Sequence, residues 1–231
     1  QAFQPEVVFH LAAQPIVRTA FDDPMNTYAS NVMGTVNVLE AVRHTDSVQQ
    51  LIMITSDKCY HNVEWSHGYR ENDRLGGKDP YSASKACAEI AIHSYWQSYY
   101  QHSDKRLVSA RAGNVIGGGD WAPSRVVPDC MRAWSQQQAM ALRAPHATRP
   151  WQHVLEPLSG YLHLGAQLAS NPKLSGQAFN FGPNQTCNYS VLALVQAMQQ
   201  HWPGAQYHDE SAHGGLNEAG LLKLSCDKAL H

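Results

Sequence analysis

Short apolar runs alternate along this chain with longer stretches in which apolar residues recur every three or four positions. The runs Glu6-Val7-Val8-Phe9-His10-Leu11 and Gln50-Leu51-Ile52-Met53-Ile54 are strand-sized and carry no helical period. Residues 107–112 and 178–181 read the same way, closed by Gly113-Asn114 and by Gly182-Pro183-Asn184. A helix is predicted over 31–43, with Val32, Val36, Leu39 and Val42 on one face. A second begins after Pro80, a favoured first-turn residue, and should bury Ala88, Ile92, Tyr95 and Tyr99. Further helices are predicted over 126–137, 158–169 and 190–201. Such alternation implies parallel βαβ units, hence an α/β fold with a doubly wound parallel sheet. Beyond Asn114 it weakens, as Pro123, Pro128, Pro145 and Pro150 punctuate short elements, and a smaller lobe is expected there.

Composition removes several classes of function. A net charge of -2 without a basic run argues against nucleic acid or an anionic membrane surface as the main partner. The longest apolar stretches are too short to span a bilayer, and no secretory signal is visible. Five scattered cysteines (Cys59, Cys87, Cys130, Cys187, Cys226) form no C-x-x-C pair and fit free thiols in a reducing compartment. Thirteen histidines include no H-E-x-x-H arrangement, so no metal site is expected. No G-x-G-x-x-G opens the chain, and Gly117-Gly118-Gly119 comes late, so an internal fragment is expected.

The chemistry concentrates at two places. In Asp79-Pro80-Tyr81-Ser82-Ala83-Ser84-Lys85, Tyr81 and Lys85 stand four apart on a predicted helix and share a face. A nearby ammonium favours a phenolate, which would bring the Tyr81 pKa down and make it a usable base. The run Thr55-Ser56-Asp57-Lys58-Cys59-Tyr60 follows the second strand and delivers a hydroxyl, an acid and an amine at its C-terminal end. Open α/β sheets place their chemistry at that end. Tyr-x-x-x-Lys alone is usually only a helix-surface pair; beside Ser56, Asp57 and Lys58 it reads as catalytic.

On these residues the chain resembles the extended short-chain dehydrogenase/reductase family. His10-Leu11-Ala12-Ala13-Gln14 is similar to its cofactor loop, Asn31-Val32-Met33-Gly34-Thr35 to its asparagine-bearing helix, and Tyr81-x-x-x-Lys85 to its catalytic pair. Arg111-Ala112-Gly113-Asn114-Val115-Ile116-Gly117 and Arg149-Pro150-Trp151 are similar to stretches facing the nicotinamide and the sugar diphosphate. Thr55 to Tyr60, Glu64 to Tyr81 and Gly117-Gly118-Gly119-Asp120-Trp121-Ala122 resemble the branch of nucleotide-sugar 4,6-dehydratases that act on CDP-glucose. Ala122-Pro123-Ser124-Arg125 departs from the family, which more often has an acidic residue before the arginine.

The resemblance implies a partial Rossmann-like NAD-binding domain over 1–113 and 150–183, its N-terminal part missing, and a nucleotide-sugar lobe over 114–149 and 184–231. It implies tightly bound NAD held by Leu11, Ala12, Ala13, Asn31, Tyr81 and Lys85. CDP-glucose would be contacted by Gln14, Asn114, Arg125, Arg149 and His153. Ser56, Asp57, Lys58, Tyr81 and Lys85 are the implied catalytic set, with Tyr81 the base at the 4-hydroxyl, Lys58 the base at C5 and Asp57 the acid at the 6-hydroxyl. Lys58 could instead stay protonated and hold a hydroxyl or phosphate. Asn114 could only satisfy a strand end, and Arg149 could be an ordinary surface arginine. Also implied are a cytoplasmic homo-oligomer (dimer or tetramer), dideoxysugar and O-antigen precursor synthesis, and inactivity of a fragment taken alone. A dTDP- or GDP-sugar dehydratase, a 4-epimerase and an inactive nucleotide-binding relative are the alternatives.

Overall fold

In the computed structural model, which describes residues 3–184, 187–213 and 220–231, the chain is built on one parallel sheet. The strands are β1 (Val7–His10), β2 (Gln50–Ile54), β3 (Arg106–Ala112), β4 (Val115–Ile116), β5 (Met140–Leu142), β6 (Thr148–Arg149), β7 (Gln152–His153), β8 (Ala178–Phe181), β9 (Tyr189–Ser190) and β10 (Tyr207–Asp209). The α-helices are α1 (Val17–Asp22), α2 (Pro24–Tyr28), α3 (Gly34–Arg43), α4 (Pro80–Tyr95), α5 (Val126–Ser135), α6 (Leu155–Ser170), α7 (Val191–Gln199) and α8 (Asp227–Leu230). The main sheet runs β1-β2-β3-β8, all parallel, and crossover helices cover both faces.

The two-residue period of a strand sorts the core. Leu51, Met53 and Leu107 face α3 and α4, packing with Leu39, Val42, Ile92 and Tyr100. Ile52, Val108 and Ala110 face the other way, onto Tyr161, Leu164 and Leu168 of α6. By the same alternation Ser109 and Arg111 project toward α4, so this apolar layer carries two buried polar side chains. A separate cluster of Cys130, Trp134, Leu142, Val195 and Ala205 joins α5, α7 and the parallel pair β5–β10. Leu222, Leu224 and Cys226 return from the C-terminal stretch to pack on Cys59, Tyr60 and Tyr69. Among the described residues no helix is long and apolar enough to cross a membrane.

Two helices differ from expectation, and each contains or adjoins a π-helical turn. The helix expected from 31 starts earlier: Asp23 accepts from Asn26 N (3.0 Å), Pro24 opens α2, and a π-turn (Ala29–Met33) leads into α3. Its Asp-Pro start signal is legible in the sequence but lies outside the apolar period. Tyr99, expected inside, is 50% exposed, whereas Tyr100 is buried and donates to the Leu39 carbonyl (2.6 Å). A π-turn over Trp96–Tyr100 follows α4, and its wider turn moves the buried line by one residue. Tyr99 instead lies outside, with the Arg43 guanidinium 5.0 Å from its ring centre.

Candidate active site

The end of β2 turns sharply. Thr55 N still donates to Ala110 O (2.8 Å), extending the ladder by one residue. Ser56 then becomes the cap of a single 3-10 turn (Asp57–Cys59): its Oγ accepts from Lys58 N (3.2 Å) and donates to Asp57 Oδ1 (3.0 Å). Opposite, Asp79 caps α4, accepting from Ser82 N (2.9 Å) and Ser82 Oγ (2.6 Å). The backbone of Gly77 lies against this first turn so closely that a Cβ there would fall 2.2 Å from Ala83 N. Tyr81 and Lys85 thereby become inward-facing residues of α4, both buried, with Lys85 Nζ 6.0 Å from the Tyr81 ring centre. The Tyr81 phenol faces the Ser56 hydroxyl closely enough for the two to interact. Sequence-distant Ser56, Asp57, Tyr81 and Lys85 thus meet at the C-terminal end of the sheet, with half-buried Lys58 on the same turn.

Burial dominates the electrostatics, contrary to the expected depression of the Tyr81 pKa. Desolvation first, then the nearby Asp57 and Asp79 carboxylates, push the phenol up to about 12 against the polar Ser56 hydroxyl and the charge of Arg125. Lys85 is brought down to about 8 by burial, opposed by Glu89 and Cys59. Both groups pay the desolvation penalty, and each moves toward its neutral form. Asp57 is raised by burial, opposed by Lys58, Ser56 and Arg149. Its Oδ2 is buried without a hydrogen-bond partner, and a Cβ on Gly113 would come within 3.5 Å of it. Burial thus makes the Asp57 carboxyl harder to ionise than a solvated one.

The depressed Lys85 makes a stability prediction. Up to pH 10.5 the unfolded chain keeps this proton, while the folded chain loses it near 8, so stability rises with pH across that window. The cost at pH 7 is about 3 kcal/mol at 1.36 kcal/mol per pKa unit. Lys85→Met is therefore expected to be more stable than the wild type at pH 7, with an advantage that shrinks toward pH 10. Denaturant midpoints at the two pH values check it; a pH-independent difference would contradict the assignment.

The remaining expected residues divide. Arg125 stands near enough to Tyr81 to lower its pKa and pairs with Asp120 Oδ2 (3.3 Å). Arg149 is buried rather than on the surface; its Nη1 donates to Thr148 O (2.8 Å) and its charge reaches Asp57. Asn114 is half-buried, its carbonyl accepting from Gln152 N (3.1 Å). Gln14 has its amide engaged by its own loop and by α2: Oε1 accepts from Ile16 N (2.5 Å) and Nε2 donates to Thr27 Oγ1 (2.8 Å). Asn31 is likewise committed, accepting from Gln14 N (2.8 Å) and donating to Gln14 O (3.1 Å) and Ser84 Oγ (2.9 Å). The pair ties the Leu11-Ala12-Ala13 loop to α4. His153 is exposed, and its Nδ1 accepts from Leu155 N (3.3 Å) at the start of α6.

Three residues escaped sequence reasoning. His10, at the end of β1, has its pKa lowered by burial and then by Lys85. Glu89 and Arg111 form a buried ion pair (2.7 Å) beneath the site. Glu89 carried a legible signal, since it lies four residues after Lys85 on the same helix face. Arg111 gave none, because a charge inside an apolar strand run looks like an interruption.

Comparison with known proteins fits this geometry. Residues 1–201 match the family model of GDP-mannose 4,6 dehydratase. CDP-glucose 4,6-dehydratase of Salmonella typhimurium is 44% identical over 98% of the chain, which spans 65% of that protein's length. Human dTDP-D-glucose 4,6-dehydratase is 31% identical over 84% of the chain and 53% of that protein. Among solved structures, UDP-glucuronic acid 4-epimerase from Bacillus cereus, in complex with UDP-glucuronic acid and NAD, superposes with a TM-score of 0.83 at 22% identity, covering 97% of this chain and 68% of that one. A dTDP-glucose 4,6-dehydratase from Streptomyces venezuelae reaches 0.78 at 16% identity, over 97% and 66%. These two likenesses establish the Rossmann-like fold. With a family model matched from residue 1 to 201, the chain belongs to the GDP-mannose 4,6-dehydratase family, within the extended short-chain dehydrogenase/reductases.

Proposed function

We propose that this protein dehydrates CDP-D-glucose to CDP-4-dehydro-6-deoxy-D-glucose, using NAD that is regenerated in every cycle. The observation that carries the reading is Asp57: a buried carboxyl whose pKa is raised, beside Ser56 and Tyr81. Oxidation and reduction at C4 alone, as in a 4-epimerase, need no such acid. Elimination across C5 and C6 does. The 44% identity with a CDP-glucose 4,6-dehydratase supports the same substrate here.

The chain's residues fit the cofactor. Leu11 is 51% exposed and Ala12 is exposed at the end of β1, an apolar rim beside His10 and Lys85. Leu11, Ala12 and Ala13 would hold NAD there, with Tyr81 and Lys85 at its nicotinamide end and Asn31 fixing the loop from behind. When bound, oxidised NAD supplies a hydride acceptor and a fixed positive charge that favours the Tyr81 phenolate.

Tyr81 takes the proton of the sugar 4-hydroxyl as C4 is oxidised, while Ser56 hydrogen-bonds the 4-oxygen. The new ketone acidifies the proton on C5. Lys58 removes that proton, and Asp57 gives its own to the 6-hydroxyl, which leaves as water. The hydride taken from C4 would then be returned to C6 while Lys58 gives its proton back to C5, leaving the 4-keto-6-deoxy sugar. Each acid–base step of this kind is worth about 10²–10⁴-fold in rate. Arg125 and Arg149, with Asn114, are assigned to the nucleotide-sugar side. That side is assigned to 114–149 and 184–231, while 1–113 and 150–183 serve the cofactor. Exposed Met25, Met33, Ile90 and Tyr99 on the α2–α4 surface support a homo-oligomer. Cytoplasmic synthesis of dideoxysugar and O-antigen precursors is the setting, since nucleotide-activated sugars are built from cytoplasmic nucleotides.

Product analysis after incubation with CDP-, dTDP-, GDP- and UDP-glucose tests the reading. The expected result is a 4-keto-6-deoxy product from CDP-glucose. A clear preference for dTDP-glucose, or a galactose product, would overturn it.

A further inference from the structure

Beneath the candidate site, one carboxylate links α4 to the end of β2 and to β3. Glu89, 3% exposed, lies one turn beyond Lys85 on α4. Its Oε1 accepts from Thr55 Oγ1, the residue immediately before Ser56-Asp57-Lys58. Its Oε2 accepts from Ser109 Oγ (3.0 Å) and Arg111 Nη2 (2.7 Å), both on β3. From Arg111 the network continues: Nη1 donates to Tyr60 OH (2.8 Å) and to Glu71 O (2.9 Å), and Tyr60 OH donates to Asn180 Oδ1 (2.7 Å) on β8. One side chain therefore joins the helix bearing Tyr81 and Lys85 to the strand end bearing Ser56, Asp57 and Lys58.

We infer that Glu89 is a positioning residue of the reaction, gripping Thr55 so that the β2 end keeps its place against α4 and holding negative charge one turn from the Lys85 ammonium. This rests on the dehydratase reading given above. Both halves follow from the geometry. Acid–base groups lose much of their effect when displaced by about 1 Å, so a link between the two halves of the site bears directly on turnover. Charges four apart on a buried helix face interact strongly, because little water screens them. The charged and titratable groups around this pair are Arg111 on β3, Cys59 on the 3-10 turn, His10 on β1 and Tyr81 on α4 itself. Glu89 raises the Lys85 pKa against the burial that lowers it.

Three variants of the holoenzyme separate this role from mere stabilisation. Thr55→Val removes the grip and leaves the Glu89–Arg111 pair intact. It is expected to lower kcat by about tenfold with KM for CDP-glucose changed less than about twofold, since the nucleotide contacts are untouched. Glu89→Gln removes the charge, and the Lys85 titration, followed by NMR of 13Cε-labelled lysine, should move below its wild-type value of about 8. Glu89→Asp keeps the charge and should return that titration toward the wild type. Unchanged kcat in Thr55→Val together with an unmoved Lys85 titration in Glu89→Gln, even with lower thermal stability, would overturn the inference. Should the wild-type enzyme not turn over CDP-glucose, the dehydratase reading fails by itself. The Lys85 titration, which needs neither substrate nor turnover, still decides the electrostatic role of Glu89.

Discussion

Tyr81→Phe is expected to abolish oxidation at C4, lowering the rate by about 10²–10⁴-fold or more, while leaving nucleotide-sugar binding close to wild type. The substitution removes one oxygen from a side chain that is 8% exposed, so packing on α4 hardly changes. Ser56 keeps its bonds to Asp57 Oδ1 and Lys58 N, and the 3-10 turn stays in place. What disappears is the proposed acceptor for the sugar's 4-hydroxyl proton. The pKa of about 12 sharpens the test, because burial makes the phenol reluctant to ionise unless further positive charge is brought near it. Mixing the variant with NAD and CDP-glucose and following the near-ultraviolet absorbance of reduced cofactor gives the answer. A wild-type rise in that absorbance would remove Tyr81 from the role.

Lys58→Met is expected to divide the reaction at its middle. If Lys58 is the base at C5, the variant still oxidises C4 and then stalls. Reduced cofactor and a 4-keto-hexose accumulate, and solvent deuterium fails to enter at C5. Its place on the turn that Ser56 caps, beside the protonatable Asp57, puts an amine and an acid on the same short segment, as a paired removal of H⁺ and OH⁻ requires. Lys85→Met should fail one step earlier, at the oxidation, because the charge it removes is the one next to Tyr81. Rapid-quench mass spectrometry in deuterated water tells the two apart. Exchange at C5 at the wild-type rate in Lys58→Met, or equal slowing of every step, would assign Lys58 to substrate positioning instead.

Much of this is legible in the sequence. Four mainly apolar runs located all four strands of the main sheet to within about two residues, because strands covered by helices on both faces are largely apolar. The four-residue step from Tyr81 to Lys85 predicted their shared helix face, and the strand-end position of Ser56-Asp57-Lys58 predicted which end of the sheet they occupy. Local periodicity could not reveal where a helix gains an extra residue per turn. Tyr99 and Tyr100 exchange places for that reason alone. Nor could it say that Asn31 and Gln14 would satisfy each other, which requires two segments to fold back into contact. The pKa values were the largest surprise. A charge four residues away suggests a lowered Tyr81, but desolvation depends on everything packed around the phenol, and only the tertiary structure sets that. Glu89 shows the same division: its helix face was readable from spacing, while its contacts with Thr55, Ser109 and Arg111 exist only because β2, β3 and α4 meet in the folded chain.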